Sequence, residues 1–219
     1  MKIKLFSIVI LTIISILFFG KIELLLINTG FSWTFSKIFP YALLILFGII
    51  LYLLSRKAIV RKWVKYSVGI VVVLLPFGVG FIFNPIYEGD FSKQGTSIVK
   101  NASPSDFKKD GLMVITIPNC PFCFGSIQKL KLIKKRQPAL QIDFVVCAND
   151  KEYLQKYKTE INGSFPIRIA DNADSLVFTA NFRFPAFVLV KNKKPNYVWS
   201  NDQFGVRAID EMEKTVTLK

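Results

Sequence analysis

Three long apolar stretches constrain this chain more than any other feature of its sequence. Residues 38–55 and 66–87 carry no charge, and residues 5–27 carry only Lys21 and Glu23. A helix needs about 20 apolar residues to cross a hydrocarbon core of about 30 Å. The sequence therefore predicts a membrane domain over residues 1–87 with three transmembrane α-helices.

The first apolar stretch has a second interpretation, as a cleaved signal peptide with Lys2 and Lys4 as its basic start. The stretch is long for a signal peptide, and no small-x-small cleavage site follows Gly20. Two further spans follow directly, which favours a retained helix.

The predicted orientation follows from the basic residues near the spans. The loop between the second and third spans carries five of them, Arg56, Lys57, Arg61, Lys62 and Lys65. Lysine and arginine remain preferentially on the cytoplasmic side. We therefore expect a multi-pass protein of a bacterial cytoplasmic membrane, with its N-terminus cytoplasmic and everything after residue 87 periplasmic or extracytoplasmic. Anionic lipid headgroups are a sufficient partner for this basic loop, and we predict no nucleic-acid binding.

Composition separates two halves and excludes several chemistries. The net charge is +14, of which +8 falls in residues 1–87, where Glu23 is the one acidic residue. The chain has no histidine, which excludes Ser-His-Asp and Cys-His catalysis and His-ligated metals. It has only three cysteines, too few for a four-thiolate zinc or iron–sulfur site.

After a juxtamembrane connector predicted over 88–110, apolar runs alternate with helical patterns over 111–219. This alternation predicts an α/β domain with parallel strand pairs. The predicted strands are 112–118, 141–147, 165–170, 186–191 and 197–200, and the predicted helices are 122–136, 151–160, 173–180 and 203–216.

The sequence Asn119-Cys120-Pro121-Phe122-Cys123 lies where a buried strand is predicted to end and a helix to begin. The unpaired N–H groups and the dipole of a helix N-terminus stabilise a thiolate, which predicts Cys120 as an attacking nucleophile. Cys123, one turn later, is then placed to resolve a mixed disulfide.

With this motif the chain resembles the thioredoxin superfamily, over about residues 105–217. The strand, C-P-F-C and helix are followed later by Phe184-Pro185 before a strand hairpin and a final helix. The segment from Lys151 to Ala170 resembles the insertion of the membrane-anchored TlpA/ResA-like branch. The resemblance implies a thioredoxin-like fold, a central mixed sheet flanked by helices. It also implies that Pro185 is a cis-proline in the loop that pairs with substrate.

Several positions depart from the family pattern. Asn119 replaces the usual aromatic residue before the motif, Phe184 replaces a small or β-branched residue, and Val114 occupies the position of a buried acid. Phe122 provides no imidazolium of the kind that stabilises the thiolate in oxidase-type C-P-H-C sites. We therefore expect a less oxidising couple than those oxidases have.

Together these features predict a membrane-anchored thiol–disulfide oxidoreductase that exchanges electrons with extracytoplasmic protein disulfides, in the reducing direction. No bound cofactor or metal is needed. Residues 1–87 contain no cysteine, so a separate membrane or periplasmic partner must recharge the dithiol.

Other interpretations of the cysteines stay open in the sequence. The pair is also compatible with a structural disulfide, with a non-catalytic binding or assembly subunit of a membrane complex, and with a copper-handling protein. Cys147, at the end of the next predicted strand, is interpreted as a buried core thiol, with a third redox cysteine as the alternative.

Overall fold

The computed structural model describes residues 2–56, 62–91, 107, 109–148, 150 and 152–217. The chain divides into two compact units, residues 1–87 and residues 88–219. Much of the predicted connector, and Lys57 and Arg61 of the basic loop, lie outside the described residues.

The N-terminal unit is helical, and two of its helices are long and apolar enough to cross a membrane. Its helices are α1 (Lys2–Leu17), α2 (Phe19–Asn28), α3 (Trp33–Ser55) and α4 (Lys62–Phe83). Helices α3 and α4 include the second and third predicted spans, except that α4 ends at Phe83, four residues before the predicted boundary.

The first predicted span is not one continuous helix. Helices α1 and α2 meet at a bend of 70°, so this unit has three candidate spans only if the bent pair counts as one. The bend places Phe19 in the interior, 1% exposed, with its ring 4.6 Å from that of Tyr41 in α3. Gly20, a poor helix former, follows immediately. Tertiary packing thus overrides the helical pattern at this point.

The C-terminal unit contains a mixed sheet flanked by helices, which confirms the predicted architecture. Its strands are β1 (Gly111–Thr116), β2 (Ile142–Val146), β3 (Ile167–Ile169), β4 (Ala186–Lys191) and β5 (Lys194–Ser200). Its helices are α5 (Glu88–Phe91), α6 (Pro121–Arg136), α7 (Glu152–Ile161), α8 (Ala173–Thr179) and α9 (Val206–Thr217).

Within the described residues the strand order is β3-β2-β1-β4-β5. Strands β1, β2 and β3 are parallel, and β4 pairs antiparallel with both β1 and β5. Strand β1 is therefore central and buried on both faces, which explains its continuous apolar sequence. Strand β3, in the segment that resembles an insertion, forms an edge.

The two faces of β1 belong to different parts of the core, because successive side chains of a strand point in opposite directions. Met113 and Ile115 pack in one cluster with Leu176 and Ala180 of the α8 region. Besides Cys123, helix α6 completely buries Ile127, Leu130 and Ile133. This burial fixes the helix that follows the C-P-F-C sequence.

Candidate functional site

The link from β1 to α6 is four residues long, from Ile117 to Cys120, and its geometry places the cysteine pair. Asn119 adopts a positive φ of 54°, in the left-handed region that asparagine tolerates better than most residues. This turn explains why an asparagine stands at this position. A tight strand-to-helix link was the signal in the sequence that could have predicted it.

Cys120 is the N-cap of α6, with extended backbone angles of −88° and 109°. Its Sγ accepts a hydrogen bond from the backbone N–H of Cys123 at 3.1 Å. Pro121 occupies the first turn, where a missing N–H donor leaves no hydrogen bond unmade. The sulfur of Cys120 therefore lies at the positive end of the helix, which favours a thiolate when the pair is reduced.

Cys120 and Cys123 form a disulfide, with their Cα atoms 5.2 Å apart. Cys123 is completely buried, whereas Cys120 keeps 7% exposure. Of the two cysteines, the one at the helix start is thus the one that keeps some exposed surface. The roles of nucleophile and resolving cysteine stay predictions.

Pro185 lies at the same end of the sheet as the cysteine pair. The Phe184–Pro185 peptide bond is cis. Ala186 pairs with Ile115 in the antiparallel register of β1 and β4, so the preceding proline lies level with the last residue of β1. Phe184 packs against the cluster that contains Ile115, together with Ile117 from the cysteine-bearing link. The part of Pro185 in substrate pairing stays a prediction.

The third cysteine, Cys147, follows β2 and lies in the core cluster of Ile115 and Ala170. It is 8% exposed, and its backbone N–H donates to the Thr116 carbonyl at 2.7 Å. The structure thus brings Cys147 to the same sheet end as the disulfide without joining it.

The sequence did not indicate a role for Tyr157, which lies in the helix predicted over 151–160. This side chain is 1% exposed, and its hydroxyl donates to the carbonyl of Ile117 at 2.7 Å. Burial raises the pKa of the phenol above the usual tyrosine value, and a hydrogen bond from the backbone N–H of Cys120 acts in the opposite direction. Leu154, Tyr157 and Ile161 follow a helical apolar spacing, which was the available signal for burial, though not for the polar contacts.

Three exposed phenylalanines lie close in sequence to the cysteine pair or to Pro185. Phe122, between the cysteines, is 66% exposed, and Phe178 and Phe182, shortly before Pro185, are 65% and 63% exposed. The rings of Phe178 and Phe182 contact each other at 5.4 Å. Exposed aromatic side chains of this size are typical of surfaces that bind other proteins.

Comparisons with known proteins give two similar solved structures, both thioredoxin-like. A secreted disulfide oxidoreductase of Mycobacterium tuberculosis, described as homologous to E. coli DsbE, is 21% identical with a TM-score of 0.39, over 52% of this chain and 85% of that one. A thioredoxin-like protein from Bacteroides caccae is 13% identical with a TM-score of 0.35, over 81% of each chain.

No family model matches the chain, and no curated protein matches it either. Both TM-scores are below 0.5, so the geometry of the site, and not these similarities, indicates the function.

Proposed function

We propose that this protein is a membrane-anchored thiol–disulfide oxidoreductase with a thioredoxin-like catalytic domain, similar to the TlpA/ResA-like branch. One observation carries the proposal: the sulfur of Cys120 caps the first turn of α6, and its partner Cys123 is buried one turn inside. A disulfide that closes so short a loop contributes little to stability. Redox exchange is therefore a better explanation of the pair than a structural role.

The mechanism needs only the two sulfurs. The thiolate of reduced Cys120 attacks one sulfur of a protein disulfide, forms a mixed disulfide and releases the other substrate sulfur as a thiolate, which takes a proton from water. The Cys123 thiol then loses its proton to water and attacks Cys120. The Cys120–Cys123 disulfide forms, and the second substrate sulfur leaves and is protonated. Two electrons pass to the substrate, and a separate donor of dithiol electrons returns the site to its reduced form.

A protein substrate is supported by the surroundings of the pair. Phe122 is an exposed residue of the motif itself, and the exposed Phe178 and Phe182 shortly precede the cis-proline in the sequence. We propose that the backbone at Pro185 pairs with the substrate chain.

The absence of an imidazolium between the two cysteines supports the reducing direction. A cation beside the nucleophile stabilises the dithiol form and makes a site more oxidising. Phe122 provides no such charge, and the chain has no histidine. In a redox titration against glutathione buffers we expect a potential well below the strongly oxidising value of about −120 mV. A measured value near −120 mV would contradict the reducing direction.

We place the C-terminal unit outside the cytoplasm, with three spans when the bent pair α1–α2 counts as one. The basic residues from Arg56 to Lys65 favour the cytoplasmic side. Only α4 separates this loop from the C-terminal unit, so the sidedness does not depend on the bent pair. In cells stripped of outer barriers, a membrane-impermeant thiol reagent should label reduced Cys120, and protection until the membrane is permeabilised would show the opposite orientation.

Trapping tests the function directly. In Cys123→Ser the mixed disulfide on Cys120 cannot be resolved, so we expect protein adducts that reducing agent releases. The matched control Cys120→Ser keeps Cys123 and should form none. Equal adducts in both variants would reject Cys120 as the nucleophile, and no adducts in either would favour an assembly role for the domain.

A further inference from the structure

The position of Cys120 depends on how the four-residue link from β1 is held, and the link receives its support from α7. The Tyr157 hydroxyl donates a hydrogen bond to the Ile117 carbonyl at 2.7 Å. The backbone of Cys120 also interacts with this hydroxyl, in the sense that lowers the pKa of the phenol. One phenol thus holds the start of the link by a hydrogen bond and lies against its end. Asn119 also contacts this helix, because its Oδ1 accepts from Lys156 at 3.4 Å.

The ring of Tyr157 packs between two other aromatic rings. It stacks on Phe124 of α6 with the centroids 4.2 Å apart and an interplanar angle of 13°. Its other neighbour is Phe144 of β2, at 5.3 Å. Aromatic packing of this kind fixes the ring in the core, so the hydroxyl has one direction in which to point.

We propose that Tyr157 is a positioning residue for Cys120. Its phenol keeps the N-cap backbone in the extended conformation that directs Sγ at the N–H of Cys123. Tyr157 transfers neither electrons nor protons, and its effect reaches the substrate only through the thiolate of Cys120. This inference rests on the proposed redox function of the pair.

The physical reason is that the stabilisation of an anion at a helix start falls off within the first turn and depends on the distance to the N–H groups. A link that moves freely lets the sulfur leave that position for part of the time. The thiolate then loses stabilisation, and the thiol ionises at higher pH.

The test is the pH profile of Cys120 alkylation in the reduced full chain, followed by peptide mapping. Tyr157→Phe keeps the stacked ring and removes the hydroxyl with its hydrogen bond to Ile117. We expect its alkylation midpoint to rise by roughly half to one pH unit, with a several-fold lower rate below the midpoint. Tyr153→Phe, on the same helix at a 38% exposed position, is the matched control and should leave the profile unchanged. Equal profiles in the two variants would overturn the proposal.

The wild-type protein provides a second measurement that does not depend on a variant folding. If the phenol holds the link, the amide of Cys120 should exchange with deuterium much more slowly than the amide of exposed Asn119. Equally fast exchange would overturn the proposal even if Tyr157→Phe failed to fold.

The proposed function is tested independently of the role of Tyr157. Wild-type protein that cannot reduce a protein disulfide would contradict the oxidoreductase assignment, and the alkylation profiles would still decide the role of Tyr157.

Discussion

Cys120 and Cys147 lie at the same end of neighbouring parallel strands, yet only one of them has the surroundings of a reactive thiol. Their exposures are nearly the same, at 7% and 8%. Helix α6 begins immediately after Cys120, whereas α7 begins five residues after Cys147. Accessibility therefore does not separate the two cysteines. The backbone that follows each one does, because a helix start offers unpaired N–H groups to a sulfur.

The two cysteines also differ in the groups that surround them. The sulfur of Cys120 is directed at the N–H of Cys123, while Cys147 is part of the apolar cluster with Ile115 and Ala170. A buried cysteine in apolar surroundings behaves as a small hydrophobic side chain. We infer that Cys147 contributes to the core and Cys120 to the chemistry.

The largest expected difference is in turnover, between a variant that lacks the sulfur of Cys120 and one that lacks the sulfur of Cys147. Cys120→Ser should reduce the turnover of a protein disulfide, such as that of insulin, to the uncatalysed rate, because the attacking thiolate is gone. Cys147→Ala should keep the turnover of the wild type and lower the free energy of unfolding by about 1 kcal/mol. Loss of turnover in Cys147→Ala, in protein shown to be folded, would make Cys147 a third redox cysteine.

A variant in α6 that leaves both cysteines in place should weaken the packing of this helix. Ile127→Ala removes a completely buried side chain of α6 and should lower the free energy of unfolding by about 2–5 kcal/mol. Urea unfolding of the C-terminal unit in the detergent-solubilised chain measures it.

The control for that variant is Lys135→Ala, on the exposed face of the same helix. It should change the free energy of unfolding by no more than about 1 kcal/mol. Similar losses in the two variants would contradict the account of how α6 is anchored.

The smallest expected effect concerns the link before Cys120 at alkaline pH. The pKa of Tyr157 is raised in the folded protein, chiefly by burial. The folded state therefore holds this proton more tightly than the unfolded chain. Its contribution to stability is complete below about pH 10 and is lost as the pH rises through the folded pKa.

Stability measured from pH 9 upward should thus decline more steeply in the wild type than in Tyr157→Phe. Parallel declines in the two proteins would show that the phenol ionises no less readily in the folded state.

The sequence predicted the elements of the C-terminal unit better than it predicted their contacts. The strand at 186–191 was predicted with the boundaries it has, and α6 within one residue, because apolar runs between proline and glycine residues mark such elements well. The cysteine motif was recognisable because its chemistry depends on local sequence, a helix start immediately after a strand.

What the sequence did not predict depends on tertiary packing. The bend before Phe19 follows from its burial against Tyr41, and the contacts of Tyr157 join residues about 40 positions apart. No local pattern specifies which carbonyl a buried hydroxyl will meet. The polar support of the cysteine link therefore became visible only in the folded chain.

The central claim is that the helix start, and not exposure, makes Cys120 the reactive thiol. Alkylation rates of Cys120 and Cys147 in one reduced, folded sample, resolved by peptide mapping from pH 4 to 10, test it most directly. The account predicts that Cys120 reacts much faster at neutral pH, with a midpoint below the value of about 8.5 for an ordinary cysteine. Equal rates for the two cysteines, or a midpoint for Cys120 at or above about 8.5, would contradict it.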